Sequence, residues 1–391
     1  MTPDFSRLDA LLAEADADAY CLDSDSSDSN QLYLSGFDAP DTFFTAYTHA
    51  ETAVLVSGLE YGRAKKESRA DTVARLAEYD HVDRVEEHGE AEGTVRTYAA
   101  FLDDLGVDAA VVPERFPVGV ADGLRDRGVD VAVDTDDVVE DIRATKTDEE
   151  VEHVRTAQKA NEAAMRAAET LIADAAVDGD VLVHDGEPLT SERVREEIEV
   201  TLLRHGCALD ETIVACGADA ADPHNRGSGP LEPGEPVVVD IFPRDKASKY
   251  HADMTRTFLR GDPDDEVRTR YDVTHDALRR ALDAVEPGVT GAEVHDVVCD
   301  TYEEAGYETL RSDPTTETGF IHSTGHGVGL DVHEQPGVNP RGEELKPGHV
   351  VTIEPGLYDP AVGGIRIEDI VVVTEDGHEN LTDYPVELVV D

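Results

Sequence analysis

The chain has 391 residues, of which 40% are hydrophobic, and this is enough for about two or three domains with a sizeable core. It carries 87 acidic against 33 basic residues, a formal net charge of −54, with the acid spread along the whole chain. This balance argues against nucleic-acid binding, which needs basic patches for phosphate contacts. It is typical of a protein adapted to the molar salt of an extreme halophile, and less so of one that binds basic partners.

Cysteine usage and hydropathy indicate a cytoplasmic protein. The four cysteines (Cys21, Cys207, Cys216 and Cys299) form no CxxC pair and are too sparse for a disulfide scaffold, so we expect a reduced, intracellular chain. The N-terminus shows no secretory signal, and no segment approaches the ~18 apolar residues of a membrane span. We therefore expect no membrane partner.

Residues 1–140 predict an α/β domain, because short apolar strands alternate with helices. Strands are predicted at Ala19–Leu22, Ala53–Val56, Ala109–Val112 and Val129–Val133. Helices are predicted at 5–16, 59–67, 92–105 and 117–126. The acidic segment Asp136–Thr147 is interpreted as a linker. Whether this domain restricts substrates or contacts a second copy is left open.

Residues 141–391 predict a second domain of helices followed by strands. Thr147 with Glu150, and Thr290 with Glu293, form capping boxes that open helices. Further helices are predicted at 191–205, ending at Gly206, and at 265–285. Strands are predicted at 211–216, 236–242, 253–259, 350–354 and 365–373.

This second region contains an internal duplication. Leu231–Asp240 and Leu345–Glu354 both read Leu-x-Pro-Gly, then a β-rich stretch, then an acid at the same offset. The next acid follows 13 residues later in the first copy, at Asp253, and 14 later in the second, at Glu368. Two similar halves related by a pseudo-twofold axis would bring all four carboxylates together.

Five residues of these segments predict a metal centre: Asp240, Asp253, His326, Glu354 and Glu368. The acids end or interrupt apolar strands, where an ionised carboxylate is costly unless it is paired or bound to metal. Because alternate strand residues share a face, Val238 with Asp240, and Arg366 with Glu368, should point away from the core. The set lacks thiolates, which argues against structural zinc. Four carboxylates would suit two hard or borderline ions about 3.5–4 Å apart.

Several motifs in order resemble the signature of the pita-bread metallopeptidases. They are Asp253-Met-Thr-Arg-Thr-Phe258, His322-Ser-Thr-Gly-His326-Gly-Val-Gly, His333-Glu334, Thr352-Ile-Glu354-Pro-Gly-Leu-Tyr358 and Gly364-Ile-Arg-Ile-Glu368. With the N-terminal α/β domain, the chain resembles the Xaa-Pro peptidase branch, prolidase and aminopeptidase P. The resemblance implies an α+β fold: a C-terminal pita-bread domain with a pseudo-twofold repeat, after an N-terminal creatinase-type α/β domain.

The same resemblance implies site roles and partners. The five residues would bind two divalent ions, Mn²⁺ or Co²⁺ before Zn²⁺ or Fe²⁺, bridged by Asp253 and Glu368. A metal-bridging hydroxide would attack the peptide bond before proline, with Glu354 as proton shuttle. His224 and His333 would contact the scissile region, and His322 and Arg366 the proline side of the peptide. The family also implies a homodimer.

The chain departs from the family pattern in the loop between the first two acids. Asp240 and Asp253 lie 13 residues apart where the family usually has 11, and Phe242 replaces a glycine, so the loop Pro243–Tyr250 is about two residues longer; a hairpin tip can absorb them.

The alternative functions are a catalytically silent binding module, a creatinase-type C–N hydrolase and a methionine aminopeptidase. The first two generally lack the full ligand set, and the third usually lacks the N-terminal domain. Thr255 is either a support for a ligand carboxylate or an ordinary strand residue, and His49, His81 and His275 are expected at the surface.

Overall fold

The computed structural model describes residues 3–391, which form two compact units. One reaches Arg143 and the other spans Ala144–Asp391. In this described part, no helix is both long and apolar enough to cross a membrane.

The first unit is a six-stranded sheet with helices on both faces. Its helices are α1 (Ser6–Ala15), α2 (Ser29–Ser35), α3 (Tyr61–Glu67), α4 (His81–His88), α5 (Glu90–Asp104), α6 (Val118–Arg125) and α7 (Val138–Ala144). Its strands are β1 (Ala19–Ser24), β2 (Phe43–Thr48), β3 (Thr52–Val56), β4 (Thr72–Arg75), β5 (Ala109–Pro113) and β6 (Asp130–Asp134). The order is β4-β3-β2-β1-β5-β6, antiparallel only where β2 pairs with β1 and β3. All the predicted strands and helices of this region are present, whereas β2, β4, α2 and α4 were not predicted.

The linker interpretation of Asp136–Thr147 is wrong over α7. Val138, Val139 and Ile142 of this helix are buried, at most 8% exposed. Its three charged residues gave the segment a polar appearance, but the apolar side chains recur at helical spacing and pack inward.

The second unit consists of two similar halves. The first contains α8 (Asp148–Ala173), β7 (Ala176–Asp178), β8 (Val181–His184), β9 (Glu187–Pro188), α9 (Ser191–Arg204), β10 (Cys207–Ala208), β11 (Thr212–Cys216), β12 (Val237–Ile241), β13 (Arg244–Asp245) and β14 (Met254–Phe258). The second contains α10 (Asp265–Ala284), α11 (Gly291–Glu304), β15 (Gly325–Gly327), β16 (Glu334–Val338), β17 (Val350–Ile353), β18 (Gly356–Asp359), β19 (Gly363–Arg366), β20 (Asp369–Thr374) and β21 (Gly377–Asn380). Both predicted capping boxes are present, at the starts of α8 and α11.

Each half packs a helix pair on an antiparallel sheet. The order β11-β12-β14 in the first half corresponds to β15-β17-β20 in the second, where β16 and β21 extend the sheet. Helices α8 and α9 cover one side of the first sheet, and α10 and α11 cover the second. The predicted α+β architecture with an internal repeat is confirmed.

One predicted strand is broken. The segment 365–373 forms two strands, β19 and β20, interrupted at Ile367 and Glu368. The predicted facing is nevertheless correct, because Ile365 and Ile367 both lie in the core of the second half. The break allows Glu368 to leave the ladder, and its backbone N–H donates to the carbonyl of Thr255, 3.0 Å away in the other half.

Candidate metal centre

The first half contributes two acids from neighbouring strands. Asp240 lies on β12, where Val237, Val239 and Ile241 point into the core and leave the Asp240 side chain on the opposite face. Asp253 precedes β14, which pairs with β12 so that Asp240 is opposite Thr255. The longer loop contains β13, which pairs with β10, and Asp253 still lies close enough to Asp240 for the two charges to interact.

The second half contributes Glu354, directly after β17, and Glu368, between β19 and β20. His326 is the middle residue of β15, whose flanking glycines allow close strand approach. A Cβ at Gly325 would lie 1.9 Å from the carbonyl oxygen of Thr352, and one at Gly327 would lie 2.3 Å from that of Gln335. Only glycine allows the backbones to approach this closely at these two positions.

These side chains converge on one cluster. Ligand atoms of Asp253, His326 and Glu368 lie within 4.8 Å of one another. His326 Nε2 is 3.7 Å from Asp253 Oδ2 and 3.4 Å from Glu354 Oε1. Asp240 also interacts electrostatically with Asp253, Glu354 and Glu368, although one of its oxygens is paired with Arg366.

The unpaired oxygens of this cluster fit a bound cation. One carboxylate oxygen each of Asp240, Asp253 and Glu368 is buried without a hydrogen-bond partner. Burial raises the pKa of Asp253 well above its usual value, and the charges of Glu368, Asp240 and Glu354 raise it further. Burial raises the pKa of Glu354 to about 8, although Arg366 opposes the shift. Burial and the neighbouring acids Glu354 and Asp240 also hold the pKa of Glu368 well above normal. Buried oxygens with no donor and several negative charges at close range are what divalent ions neutralise.

The His326 ring is oriented as a ligand. Its Nδ1 lies 3.1 Å from the carbonyl oxygen of Gly327, and since a carbonyl only accepts, Nδ1 donates and leaves the Nε2 lone pair facing the carboxylates. Burial and the neighbouring His333 lower the pKa of His326 to about 3, so the ring is neutral at physiological pH. A neutral imidazole held through its second nitrogen is the usual form of a metal-binding histidine.

Arg366, which was predicted to share a face with Glu368, supplies a buried cation to the cluster. Its guanidinium donates to Asp240 Oδ2 at 2.6 Å, to the hydroxyl of Tyr358 at 2.8 Å and to Thr255 Oγ1 at 3.2 Å. The Tyr358 hydroxyl also lies 2.9 Å from His322 Nε2. Tyr358 ends the motif that begins at Thr352, and no periodicity in the sequence indicates this buried link.

Thr255 and Arg256 hold the Glu368 region in place. The Thr255 hydroxyl donates to Glu368 Oε2 at 2.8 Å, which favours the supporting interpretation of this residue. Arg256 is fully buried and donates to the Glu368 carbonyl at 2.6 Å, to Asp369 Oδ1 at 2.8 Å and to the Tyr384 carbonyl at 3.0 Å. A buried arginine inside a strand is not expected from the sequence. The only signal for it is that Arg256 stands in the strand without an acid beside it, so that its partner has to come from another strand.

The remaining predicted site residues lie around the cluster. The His333 ring lies 4.2 Å from the His326 ring, nearly perpendicular to it, and is exposed. His224 is exposed in the loop after β11, where its backbone N–H donates to Asp222 Oδ1. Burial lowers the pKa of His333, and the proximity of His224 adds to this shift. His322 is half-buried, and its pKa falls to about 3 because of burial and the nearby Arg366. His49 and His275 are exposed as expected, whereas His81 is half-buried.

Comparison with known proteins agrees with this architecture. Residues 152–375 match metallopeptidase family M24, and residues 5–145 match the creatinase/prolidase N-terminal domain. The Xaa-Pro dipeptidase of Pyrococcus furiosus is 31% identical over 364 residues, covering 92% of each chain. The structure of an Xaa-Pro dipeptidase from Bacillus anthracis superimposes with a TM-score of 0.81 at 25% identity, covering 98% of both chains. That of an X-Pro aminopeptidase from Thermotoga maritima gives 0.77 at 25% identity, covering 96% of this chain and 98% of the other.

These matches cover nearly the whole chain and agree with the site geometry, and the family implies divalent metal ions. The chain therefore belongs to metallopeptidase family M24, as an enzyme whose pita-bread domain follows a creatinase/prolidase N-terminal domain.

Proposed function

We propose that the chain is an Xaa-Pro peptidase whose centre binds two divalent ions through Asp240, Asp253, His326, Glu354 and Glu368. The observation that carries the proposal is the cluster of buried carboxylate oxygens without donors, beside a neutral His326. Mn²⁺ or Co²⁺ fits a set of four carboxylates and one imidazole better than a thiol-binding ion. When bound, such a pair of ions supplies an activated water and polarises the substrate carbonyl.

Glu354 is the residue suited to hold and pass on a proton. It is largely buried, its Oε1 faces His326, and its pKa in the metal-free site is about 8 because of burial. A carboxyl group whose pKa lies near the working pH is an efficient general acid and base. The other acids are better suited as ligands, since Glu368 is oriented by Thr255 and Asp240 by Arg366.

The histidines at the rim are proposed to bind the peptide. His224 and His333 are both exposed near the cluster, where an imidazole N–H can donate to a carbonyl oxygen. His322 is proposed to contact the proline side, with its ring fixed by Tyr358. We propose the same side for Arg366, although its three side-chain contacts favour orienting Asp240 and Tyr358 over direct contact with substrate.

A substrate with proline in second position is supported by the printed activities of relatives that match over nearly the whole chain. Both dipeptidases and an aminopeptidase are among them, so the accepted peptide length is a separate question. A silent binding module is not favoured, because all five candidate ligands are present and the four acids lie close to His326 or to one another.

The experiment is a panel of Ala-Pro, Ala-Pro-Ala and the control Ala-Ala-Ala, assayed in molar KCl with Mn²⁺ or Co²⁺ added. We expect hydrolysis before proline only. Cleavage of Ala-Pro alone identifies a dipeptidase, and cleavage of Ala-Pro-Ala identifies an aminopeptidase. If neither proline peptide is cleaved while metal is bound, the activity is wrong and only the metal site remains.

We also propose a domain boundary near residue 140, a cytoplasmic location and a homodimer. The boundary is supported by the two compact units and by the separate family matches on either side. The location is supported by four free cysteines, three of them buried. Light scattering in molar KCl measures the oligomer directly.

A further inference from the structure

A buried ion pair lies outside the candidate ligands. Lys146 Nζ is 2.5 Å from Glu334 Oε1, and the two side chains are only 1% and 2% exposed. Removing two charges from water costs free energy that their attraction offsets only in good geometry, so such a pair is a poor device for stability alone. Its position in the chain suggests a different role.

The Glu334 carboxylate is held from several directions. Lys146 donates to Oε1, and the backbone N–H of Asp331 donates to Oε2 at 3.4 Å. A Cβ at Gly329 would lie 2.2 Å from Oε1, so the carboxylate rests directly on the Gly329 backbone. Lys146 also donates to the carbonyl of Ala144 at 3.3 Å, which fixes the ammonium in turn. The pair therefore has one geometry.

This carboxylate anchors the segment that carries His333. Glu334 follows His333 directly and begins β16, which pairs with β15, the strand of His326. The backbone N–H of Gly329 donates to the Asp331 carbonyl at 3.0 Å, within the turn that joins β15 to β16. The His333 side chain is exposed and its ring contacts only the edge of the site, at the His326 ring, so the backbone anchor contributes to its position.

The Lys146 end of the pair is tied to the Glu354 strand. The Lys146 backbone N–H donates to the Gly348 carbonyl at 2.9 Å, and Thr145 forms a β-bridge with His349, one residue before β17. The pair thus joins the segment before α8 to the strands that carry His326 and Glu354.

We propose that Lys146 is a positioning residue for the hydrolytic reaction, which acts through Glu334 to hold His333 against the His326 ring. The inference rests on the proposed function, because it assigns His333 a contact with the peptide. It predicts that stability and turnover respond differently when the pair is replaced.

Three variants separate the two responses. Lys146→Met removes the ammonium from the buried Glu334 carboxylate, so it should lower both the Tm and kcat on Ala-Pro. In Lys146→Met/Glu334→Leu two apolar side chains replace the pair, which restores the Tm because buried pairs are often replaceable in this way. The double variant should nevertheless keep a kcat about 10–100-fold below wild type, the usual cost of losing a supporting contact. Lys146→Arg keeps the charge and should recover part of kcat.

The controls distinguish positioning from general damage. Val294→Ala, in the buried core of α11, should lower the Tm without changing kcat. The metal content should match wild type in all variants. If the double variant recovers kcat together with the Tm, the pair is only structural and the proposal is wrong, and this result stands even if the single variant fails to fold.

A readout without turnover separates this proposal from the proposed function. The His333 imidazole resonance in an NMR spectrum, assigned with His333→Gln, should shift in the double variant. An unchanged resonance would contradict the positioning role. Failure of the wild-type protein to cleave Ala-Pro would instead contradict the proposed activity, whatever the resonance shows.

Discussion

The metal-free protein should become less stable as the pH rises, because the buried acids of the centre then have to ionise without a bound cation. Burial raises the pKa of Glu354 to about 8 from an ordinary value of 4.5, against the opposing charge of Arg366. The pKa values of Asp253 and Glu368 are raised in the same direction by burial and by neighbouring acids.

The direction in which the free energy of unfolding changes with pH follows from proton binding. Between pH 4.5 and 8 the folded metal-free protein keeps a proton on Glu354 that the unfolded chain has released, so the free energy of unfolding falls as pH rises. From pH 5.5 to 8.5 this loss is roughly 3 kcal/mol for Glu354 alone. The histidines His322 and His326, whose pKa values are lowered to about 3, act in the opposite direction: they add stability as pH rises towards 6.5.

The assay is urea unfolding of chelator-treated protein at pH 5.5 and 8.5, at constant molar KCl, for wild type and Glu354→Gln. The histidine contributions cancel in the difference between the two proteins. We expect the variant to gain about 3 kcal/mol on wild type over this range. A parallel pH dependence of the two metal-free proteins would mean that Glu354 does not keep its proton in the folded state. Wild type with Mn²⁺ should lose the decline, since metal binding favours the deprotonated ligands.

Three further predictions concern the surroundings of the centre. Arg256→Met should lower the free energy of unfolding by about 3–5 kcal/mol in urea titrations, because the buried Asp369 carboxylate loses its cation and keeps only the hydrogen bond from Asn380; a smaller loss than in Val294→Ala would contradict this. Tyr358→Phe removes the hydroxyl between His322 and Arg366, so kcat should fall about 10–100-fold with unchanged metal content, and an unchanged kcat would show that the link is dispensable. Dilution from 3 M to 0.1 M KCl should lower the Tm, because screening of the −54 charge falls as the Debye length grows from under 3 Å to about 10 Å, and a Tm insensitive to KCl would contradict adaptation to salt.

Sequence indicated the parts of the fold that depend on local pattern. Apolar strands and capping boxes such as Thr147 with Glu150 predicted most elements of both units, because these signals act within a few residues. Helix α7 was not predicted because its charged residues made the segment look like a polar linker. Strand β2 was not predicted because Phe43–Thr48 contains no run of Val or Ile, although five of its six residues are buried. The repeat of Leu-x-Pro-Gly led directly to the pairing of two halves.

The contacts that orient the site could not be predicted in the same way. Arg366 pairs with Asp240 across 126 residues, and Lys146 pairs with Glu334 across 188. Each is a charge that is stable only with a partner on another strand, and a single sequence does not say which partner it finds. The acids themselves were visible because they interrupt apolar runs, whereas Tyr358 was not, since a tyrosine in such a run looks like ordinary core.

We propose that five side chains from the two halves form one site for two metal ions. Titration of Mn²⁺ into chelator-treated protein in molar KCl, with bound metal counted after gel filtration, tests it most directly beside Glu368→Ala. We predict saturation at about two ions per chain for wild type and a loss of tight binding in the variant. Saturable binding that Glu368→Ala leaves unchanged, or no tight binding to wild type, would contradict the account.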